Sequence, residues 1–248
     1  MAGAQEAVTA GQSSRHIIEY RRVVHLSHIL RPGMPCWPGD PPMAVEPAAE
    51  LDRDGFCLQR LSLGEHTGTH VNAPSHLLAG GSTVDQVPAA ALVLPAVVLD
   101  CRREAAADCD FTLEPSHIER FEARWGPIPA GSAVLLCTGW AARWHDPAAY
   151  LNPGADGRMH FPGFGLAAVR FLLEERRAAA LGIDTHGIDP GCDETYAANK
   201  LALGRGALVL ENVANLDQLL PVGTTLVVGL LRIAGGSGAP AAVLALVP

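Results

Sequence analysis

Three histidines fall within eleven positions of the chain, at His66, His70 and His76. Neutral imidazole is the commonest metal ligand in proteins and the usual acid–base group near pH 7. Gly68 and Pro74 lie in the same segment, so we expect a shaped loop rather than a helix. The loop's own turns must then bring His66 and His70 together. Surface histidines in a polar loop are the alternative, but their density favours a functional site.

The predicted strands and helices, which are intermixed along the chain, must position this segment. The run 57–63 alternates as a strand and leads directly into it. Helices are predicted over 114–125, with Thr112 as a candidate cap, and over 166–177. Further strands are predicted at 23–27, 92–99, 133–137, 179–183, 208–210, 225–231 and 242–246. This mixture predicts an α/β fold, a single domain with a mixed β-sheet core and flanking helices.

The two ends of the predicted domain and its composition limit what the protein can be. Residues 1–16 are predicted to form a disordered tail, and residues 17–248 the single domain. The segment 31–42, rich in Pro and Gly, is predicted to be an ordered loop. A formal net charge of −8 disfavours nucleic acid as a partner, since phosphate backbones would be repelled.

Signals for export, for a membrane and for disulfides are missing from the sequence. The first residues lack the basic start and apolar run of a signal peptide, and no apolar stretch is long enough to span a bilayer. The six cysteines include no C-x-x-C pair, which favours reduced thiols. We therefore expect a cytoplasmic protein with no membrane partner.

The histidine segment resembles the H-x-G-T-H-x-D-x-P-x-H signature of the cyclase superfamily, which includes kynurenine formamidase, isatin hydrolase and related amide or lactone hydrolases. The match holds at His66, Gly68, Thr69, His70, Pro74 and His76. It fails at Asn72, where the family has Asp. Other segments resemble family segments in the right order: 24–28, 34–41, 138–140, 161–163, 182–185, 210–213 and 235–240. The resemblance implies the cyclase fold, of a swivelling β/β/α-like type, over nearly the whole chain.

The resemblance also implies roles for individual side chains. His66 and His70 match the family's first-metal histidines, and His76 matches its acid–base group. Glu211 matches a downstream metal-binding carboxylate, and Trp37 matches an aromatic side chain that contacts substrate.

Two amides stand where the family has metal ligands. Asn72 replaces the bridging Asp, and Asn199 replaces a His that precedes the downstream Glu. An amide offers one neutral oxygen, so it neither offsets the repulsion between two cations nor replaces an imidazole well for Zn²⁺. We predict that a dinuclear metal site is absent, and that Asn72 and Asn199 contact substrate instead.

Two cofactor alternatives stay open. His66, His70 and Glu211 could hold one Zn²⁺ or Mn²⁺, a two-His, one-carboxylate set with open positions. Alternatively there is no metal cofactor, and these residues act with His76 as acids, bases and hydrogen-bond donors.

A few further residues are ambiguous. His186 is a candidate replacement ligand, base or substrate contact, although a solvated loop histidine is the more ordinary interpretation. Asp184 follows a predicted strand, where a carboxylate commonly holds loop amides. The glycine-rich run 235–238 precedes a strand rather than a helix, which argues against a phosphate loop. The remaining histidines are interpreted as surface or structural: His16, His117, His145 and His160.

These observations predict an enzyme that acts on a small, carbonyl-bearing metabolite by His/Glu acid–base chemistry. Because the metal set is altered, we place a cyclisation, isomerisation or dehydration in specialised metabolism first. The alternative is a one-metal amide, ester or lactone hydrolase resembling kynurenine formamidase. A non-catalytic small-molecule binder is the second alternative. The resemblance also implies a homodimer or homotetramer.

Overall fold

A computed structural model describes residues 17–248, and the predicted tail of residues 1–16 lies outside the described residues. The strands are β1 Arg22–His25, β2 Ala44–Ala49, β3 Leu58–Ser62, β4 His70–Asn72, β5 Val93–Asp100, β6 Thr112–Leu113, β7 Ala133–Cys137, β8 Gly163–Phe164, β9 Ala180–Ile183, β10 Leu208–Glu211, β11 Thr224–Leu230 and β12 Gly238–Val247. The helices are α1 Leu51–Asp54, α2 Arg102–Ala107, α3 Pro115–Trp125, α4 Pro147–Leu151, α5 Leu166–Arg170 and α6 Ala197–Gly204. All six cysteines are free thiols.

Eight strands form one mixed sheet, in the order β1-β12-β11-β5-β7-β9-β10-β4. The central strands β5, β7, β9 and β10 run parallel to one another, and the other pairs are antiparallel. Strand β4 pairs with β10 on one side and with β12 on the other. The sheet therefore curls into a barrel-like closure, which leaves few unpaired strand edges.

The sheet is buried on both faces. One core cluster lies between the sheet and helices α3, α5 and α6, and includes Ile118, Leu172 and Ala202. The second lies inside the curved sheet and includes Leu135 and Leu210. Every residue of β7 is buried, as expected for a central parallel strand covered on both sides. The α/β fold with a mixed sheet is thus confirmed.

Several local predictions were wrong or incomplete. Thr112 does not cap α3 but lies in β6, and the helix begins after Glu114, whose backbone N–H donates to His117 Nδ1 at 3.0 Å. The helix predicted over 166–177 widens after Arg170 into a π-helical turn. Strand β4 was missed because it has only three residues, two of them polar. Both polar side chains, His70 and Asn72, are buried rather than exposed to solvent.

None of the helices within residues 17–248 is long and apolar enough to cross a bilayer.

Candidate active site

The pairing of β4 with β10 places His70 directly opposite Glu211. His70 Nδ1 lies 2.9 Å from Gly68 O, so Nδ1 must carry a proton and donate it. The other ring nitrogen, Nε2, lies 3.2 Å from Glu211 Oε2, close enough for an ion pair but poorly aligned for a hydrogen bond. Both side chains are buried. Burial would raise the pKa of Glu211, but the close approach of His70 and the charges of the neighbouring histidines outweigh it and lower that pKa.

His66 is held at both ring nitrogens. Nδ1 lies 2.9 Å from Asn72 Oδ1, and Nε2 lies 3.1 Å from Ser237 Oγ. Ser237 Oγ donates to Glu65 at 2.6 Å, and the Ser237 backbone N–H donates to the same carboxylate at 2.9 Å. Because a hydroxyl has only one proton to give, the His66 Nε2–H must be the donor to Ser237. A chain Glu65–Ser237–His66–Asn72 results.

The protonation state of the His66 ring determines which way the side-chain amide of Asn72 faces. Burial, assisted by the charges of His70 and His76, lowers the pKa of His66 to about 4, so the ring is neutral near pH 7. Its Nδ1 then lacks a proton and is satisfied when the Asn72 amide turns its N–H toward it. Asn72 Nδ2 has no other partner among residues 17–248, which agrees with that orientation. An Asp could not donate in this way.

His76 lies over the face of His66, with ring centroids 4.0 Å apart and planes at 36°. It ends the short 3₁₀ turn Pro74–His76 after β4 and remains partly exposed. Burial lowers the pKa of His76, although the nearby carboxylate of Glu211 partly offsets this. A neutral imidazole that is open to the pocket can accept a proton at pH 7.

A pocket of about 240 Å³ opens over these groups. Its lining includes His66, His70, His76, Trp37, His186, Asn199 and Glu211 together with Asp40, Leu77, Phe161, Gly187, Asp189, Pro190, Gly191, Asp193 and Tyr196. Trp37 meets Phe161 edge-on, with centroids 6.5 Å apart, and meets His186 edge-on at 5.5 Å. The structure thus brings seven of the eight residues predicted for the site to one cavity.

Asn72 does not line this pocket; it is buried behind His66. Asn199, on α6, does line it, and its Nδ2 donates to Glu211 Oε1 at 2.8 Å. Both amides therefore act as hydrogen-bond partners of the side chains that the resemblance assigns to a metal. Their roles as substrate contacts stay predictions.

The interpretation of His186 as a solvated loop residue was wrong. The residue is only 5% exposed, because its loop follows the buried strand β9 and folds under Trp37 and against Tyr150. Burial lowers the pKa of His186 to about 4. Its Nε2 finds no hydrogen-bond partner within the described part of the chain. Asp184, in the same loop, holds the Thr138 N–H at 2.9 Å, as its position after a strand suggested.

In this structure the side chains of the predicted one-metal site are not arranged around a common point. The ligand atoms of His66, His70 and Glu211 do not all lie within 4.8 Å of one another, whereas those of Cys109, Asp110 and His160 do, over the range 17–248. Both His66 nitrogens are already engaged, so this ring would have to turn before it could bind a metal ion. Metal binding at His66, His70 and Glu211 therefore stays a prediction.

Sequence reasoning did not single out two residues that shape the site, Glu65 and Ser237. Ser237 lies inside the family-like segment 235–240 and Glu65 directly precedes the histidine signature, so the signal was the segment and not the residue. The neighbouring Gly238 shows why the glycine-rich run fits here: a Cβ at this position would lie 2.5 Å from His66 Cε1. Only glycine allows the start of β12 to approach the ring so closely.

Comparison with known proteins places this geometry in a family. The family model described as "Putative cyclase" matches residues 24–190. Isatin hydrolase from Roseibium aggregatum is 35% identical over 218 residues, covering 84% of this chain and 82% of the relative. Kynurenine formamidase from Salinibacter ruber is 27% identical over 226 residues, covering 88% and 94% respectively.

Solved structures agree. Isatin hydrolase A from Labrenzia aggregata, bound to benzyl benzoate, has a TM-score of 0.86 at 39% identity and covers 91% of this chain and 93% of its own. Another isatin hydrolase, bound to the product analogue thioisatinate, has a TM-score of 0.85 at 34% identity, covering 91% and 92%. A protein described as a predicted metal-dependent hydrolase from Bacillus stearothermophilus shares the fold at 21% identity, with a TM-score of 0.67, covering 90% and 97%. The chain is an enzyme that belongs to the cyclase family.

Proposed function

We propose that this protein is a hydrolase that opens an amide- or ester-type bond in a small carbonyl compound, with a cyclic amide of the isatin kind as the first substrate to test. The observation that carries the proposal is the buried His70–Glu211 pair beside a neutral His76 in one small pocket. Relatives named as hydrolases support it. They do not support the cyclisation, isomerisation or dehydration that the altered motif had placed first.

The pocket suits a small, flat substrate. Its volume of about 240 Å³ is below the ~300–1,000 Å³ typical of pockets for drug-sized ligands. Trp37 and Phe161 provide apolar walls that can contact an aromatic ring. A substrate packed against this aromatic wall could direct its carbonyl group toward the histidines that line the same pocket.

His76 is positioned to move the proton in hydrolysis. Water adds to the carbonyl carbon while the neutral His76 ring takes one of its protons. The C–N or C–O bond then breaks, and His76 returns the proton to the leaving nitrogen or oxygen. The water oxygen remains in the product carboxylate. His66, stacked on His76 and neutral near pH 7, adds no positive charge that would oppose this protonation.

His186 lines the pocket and is the candidate donor to the negative charge that develops on the carbonyl oxygen. Asn212 Nδ2 lies 3.5 Å from His186 Nδ1, which leaves Nε2 to carry the proton of the neutral ring. A buried donor without a partner gains a full hydrogen bond when an oxyanion arrives. The Glu211–His70 pair also lines the pocket and makes this part of its wall polar.

The test is turnover in ¹⁸O-labelled water, with isatin, an aryl formamide and an aryl lactone as substrates. We expect one solvent oxygen in the product, read as a mass increase, and loss of turnover in His76→Gln. His117→Gln is the matched control. His117 lies on α3 and does not line the pocket, so this change should leave turnover unchanged. A product without solvent oxygen would support cyclisation or isomerisation instead, and binding without turnover would support the non-catalytic alternative.

Three further predictions stay proposals: a homodimer or homotetramer, a cytoplasmic location and a role in specialised metabolism. Light scattering on the purified chain measures the first directly.

A further inference from the structure

A second cluster of metal-binding side chains lies outside the pocket chemistry described above. Cys109 and Asp110 stand just before β6, and His160 stands shortly before β8. These two short strands pair in parallel, so the loops that lead into them lie side by side. One ligand atom from each of the three residues lies within 4.8 Å of the other two, and all three side chains are partly buried.

His160 and Asp110 already form a close pair. His160 Nδ1 lies 2.8 and 3.0 Å from the two carboxylate oxygens of Asp110, so a proton is now held between them. A tetrahedral Zn²⁺ ion with bonds of ~2.0–2.3 Å would hold its ligand atoms roughly 3.3–3.8 Å apart. The three ligand atoms already lie within 4.8 Å of one another, so small side-chain movements would bring them to this spacing, and the metal would take the place of the shared proton.

The surrounding backbone keeps the three groups in place. The His160 backbone N–H donates to Asn152 O at 3.1 Å, and Asn152 Nδ2 donates to His160 O at 2.7 Å. The backbone at Gly154 covers the far side of the ring: a Cβ there would lie 2.6 Å from His160 Nε2. His160 therefore presents Nδ1, not Nε2, to Asp110.

The three donor types point to one class of ion. Thiolate and imidazole ligands favour Zn²⁺ and similar thiophilic divalent ions over Mg²⁺ or Ca²⁺, which prefer oxygen alone. The charges of a thiolate and a carboxylate balance those of the ion. We propose that Cys109, Asp110 and His160 bind one thiophilic divalent metal ion of the Zn²⁺ type, with water in the fourth position.

The position of the site suggests what a bound ion would do. His160 is followed directly by Phe161, a wall of the candidate active-site pocket, and Gly191 N–H donates to Phe161 O at 2.9 Å. A metal here would fasten this wall to the loop before β6. The proposal does not depend on the reaction that the pocket catalyses.

The test is a Co²⁺ titration of the reduced, chelator-treated full chain, followed by absorption. A thiolate bound to Co²⁺ gives a near-ultraviolet charge-transfer band, and we expect this band to saturate at one ion per chain and to be displaced by Zn²⁺. Cys109→Ser should abolish the band, and His160→Gln should weaken Co²⁺ binding by at least about tenfold. Circular dichroism establishes that both variants are folded.

Two control variants separate this site from others. Cys57→Ser removes an exposed thiol elsewhere and should keep the band. His70→Ala damages the pocket and should also keep it, which distinguishes this site from any metal bound there. The absence of a charge-transfer band in the wild-type protein, or a band that survives in Cys109→Ser, would overturn the proposal.

Discussion

Two clusters rich in metal-ligand side chains lie within residues 17–248, and they are organised in opposite ways. In the pocket, His66, His70 and Glu211 have the side-chain types of a metal site, yet two amides hold His66 and Glu211 by hydrogen bonds. Beside β6, the adjacent residues Cys109 and Asp110 meet His160 from a distant segment, and the donor atoms of all three lie close together. The presence of metal-binding residue types in the sequence is therefore not sufficient to form a metal site. The donor atoms of these side chains must also be available and directed at a common point.

The difference follows from what surrounds each donor. A carboxylate at position 72 would leave His66 free to turn toward a cation, whereas Asn72 can donate a hydrogen bond and fix the ring. Asn199 occupies one oxygen of Glu211 in the same way. In the second cluster the internal contacts are those between Asp110 and His160, and a metal can replace the proton they share.

The largest expected effect concerns the pocket cluster as an acid–base centre. His76→Gln removes the proton carrier without adding bulk, so kcat should fall by about 10²–10⁴-fold. Because His76 is partly exposed, the urea midpoint should change little. Steady-state kinetics and urea denaturation on the same preparation measure both. A kcat within threefold of the wild-type value would show that another group transfers the proton.

Glu211→Ala should show that the pocket pair also stabilises the fold. It leaves His70 and Asn199 without their buried partner, and the free energy of unfolding should fall by about 3 kcal/mol. This is the lower end of the range for breaking a buried ion pair. Glu194→Ala, at an exposed carboxylate, is the matched control and should change the unfolding free energy by less than about 0.5 kcal/mol. Equal urea midpoints for the two variants would contradict this role.

The two amides, Asn72 and Asn199, can be replaced by the metal-binding residues that the family has at these positions. In a Cys109→Ser background, which silences the second cluster, Asn72→Asp with Asn199→His should raise the affinity of the pocket for Mn²⁺ or Zn²⁺ by at least about tenfold. Calorimetric titration measures the change. Asn215→Asp adds the same charge outside the pocket and should leave the affinity unchanged. If the double variant binds no more tightly than its parent, the amides are not what keeps His66 from a metal.

The sequence was sufficient to predict which residues meet in the pocket, and insufficient to predict what they bond to. His66, His70 and His76 are close along the chain, and Glu211 and Trp37 followed from a resemblance that spans most of it. The hydrogen bond from Ser237 to Glu65 depends on β12 closing the sheet against β4, which no local pattern reveals.

The second cluster was missed for a related reason. His160 was interpreted as surface or structural, because Cys109 and Asp110 lie about fifty residues away in the chain. Only the pairing of β6 with β8 brings them together. Each of these strands has two residues, which is too short for any periodicity to appear in the sequence.

The smallest expected effect is on the pH dependence of stability, which buried and partly buried histidines change. Burial lowers the pKa values of His28, His66 and His186 to about 4, below the unfolded value of 6.5. The unfolded chain therefore binds more protons between pH 6.5 and 4, so stability is complete above pH 6.5 and is lost as pH falls through this window. His28 stacks on Trp144 with ring centroids 4.0 Å apart, so His28→Phe keeps an aromatic ring there while removing one titrating group.

Urea midpoints measured from pH 7 to 4.5 should therefore fall less steeply for His28→Phe than for the wild-type protein. His145→Phe, a change at an exposed histidine, controls for the added apolar ring. One pKa unit corresponds to about 1.4 kcal/mol, so removing even part of the His28 shift is measurable. Identical slopes for His28→Phe and the wild-type chain would mean that this ring is hydrated enough to accept a proton in the folded state, and that burial in this region is looser than the stack with Trp144 indicates.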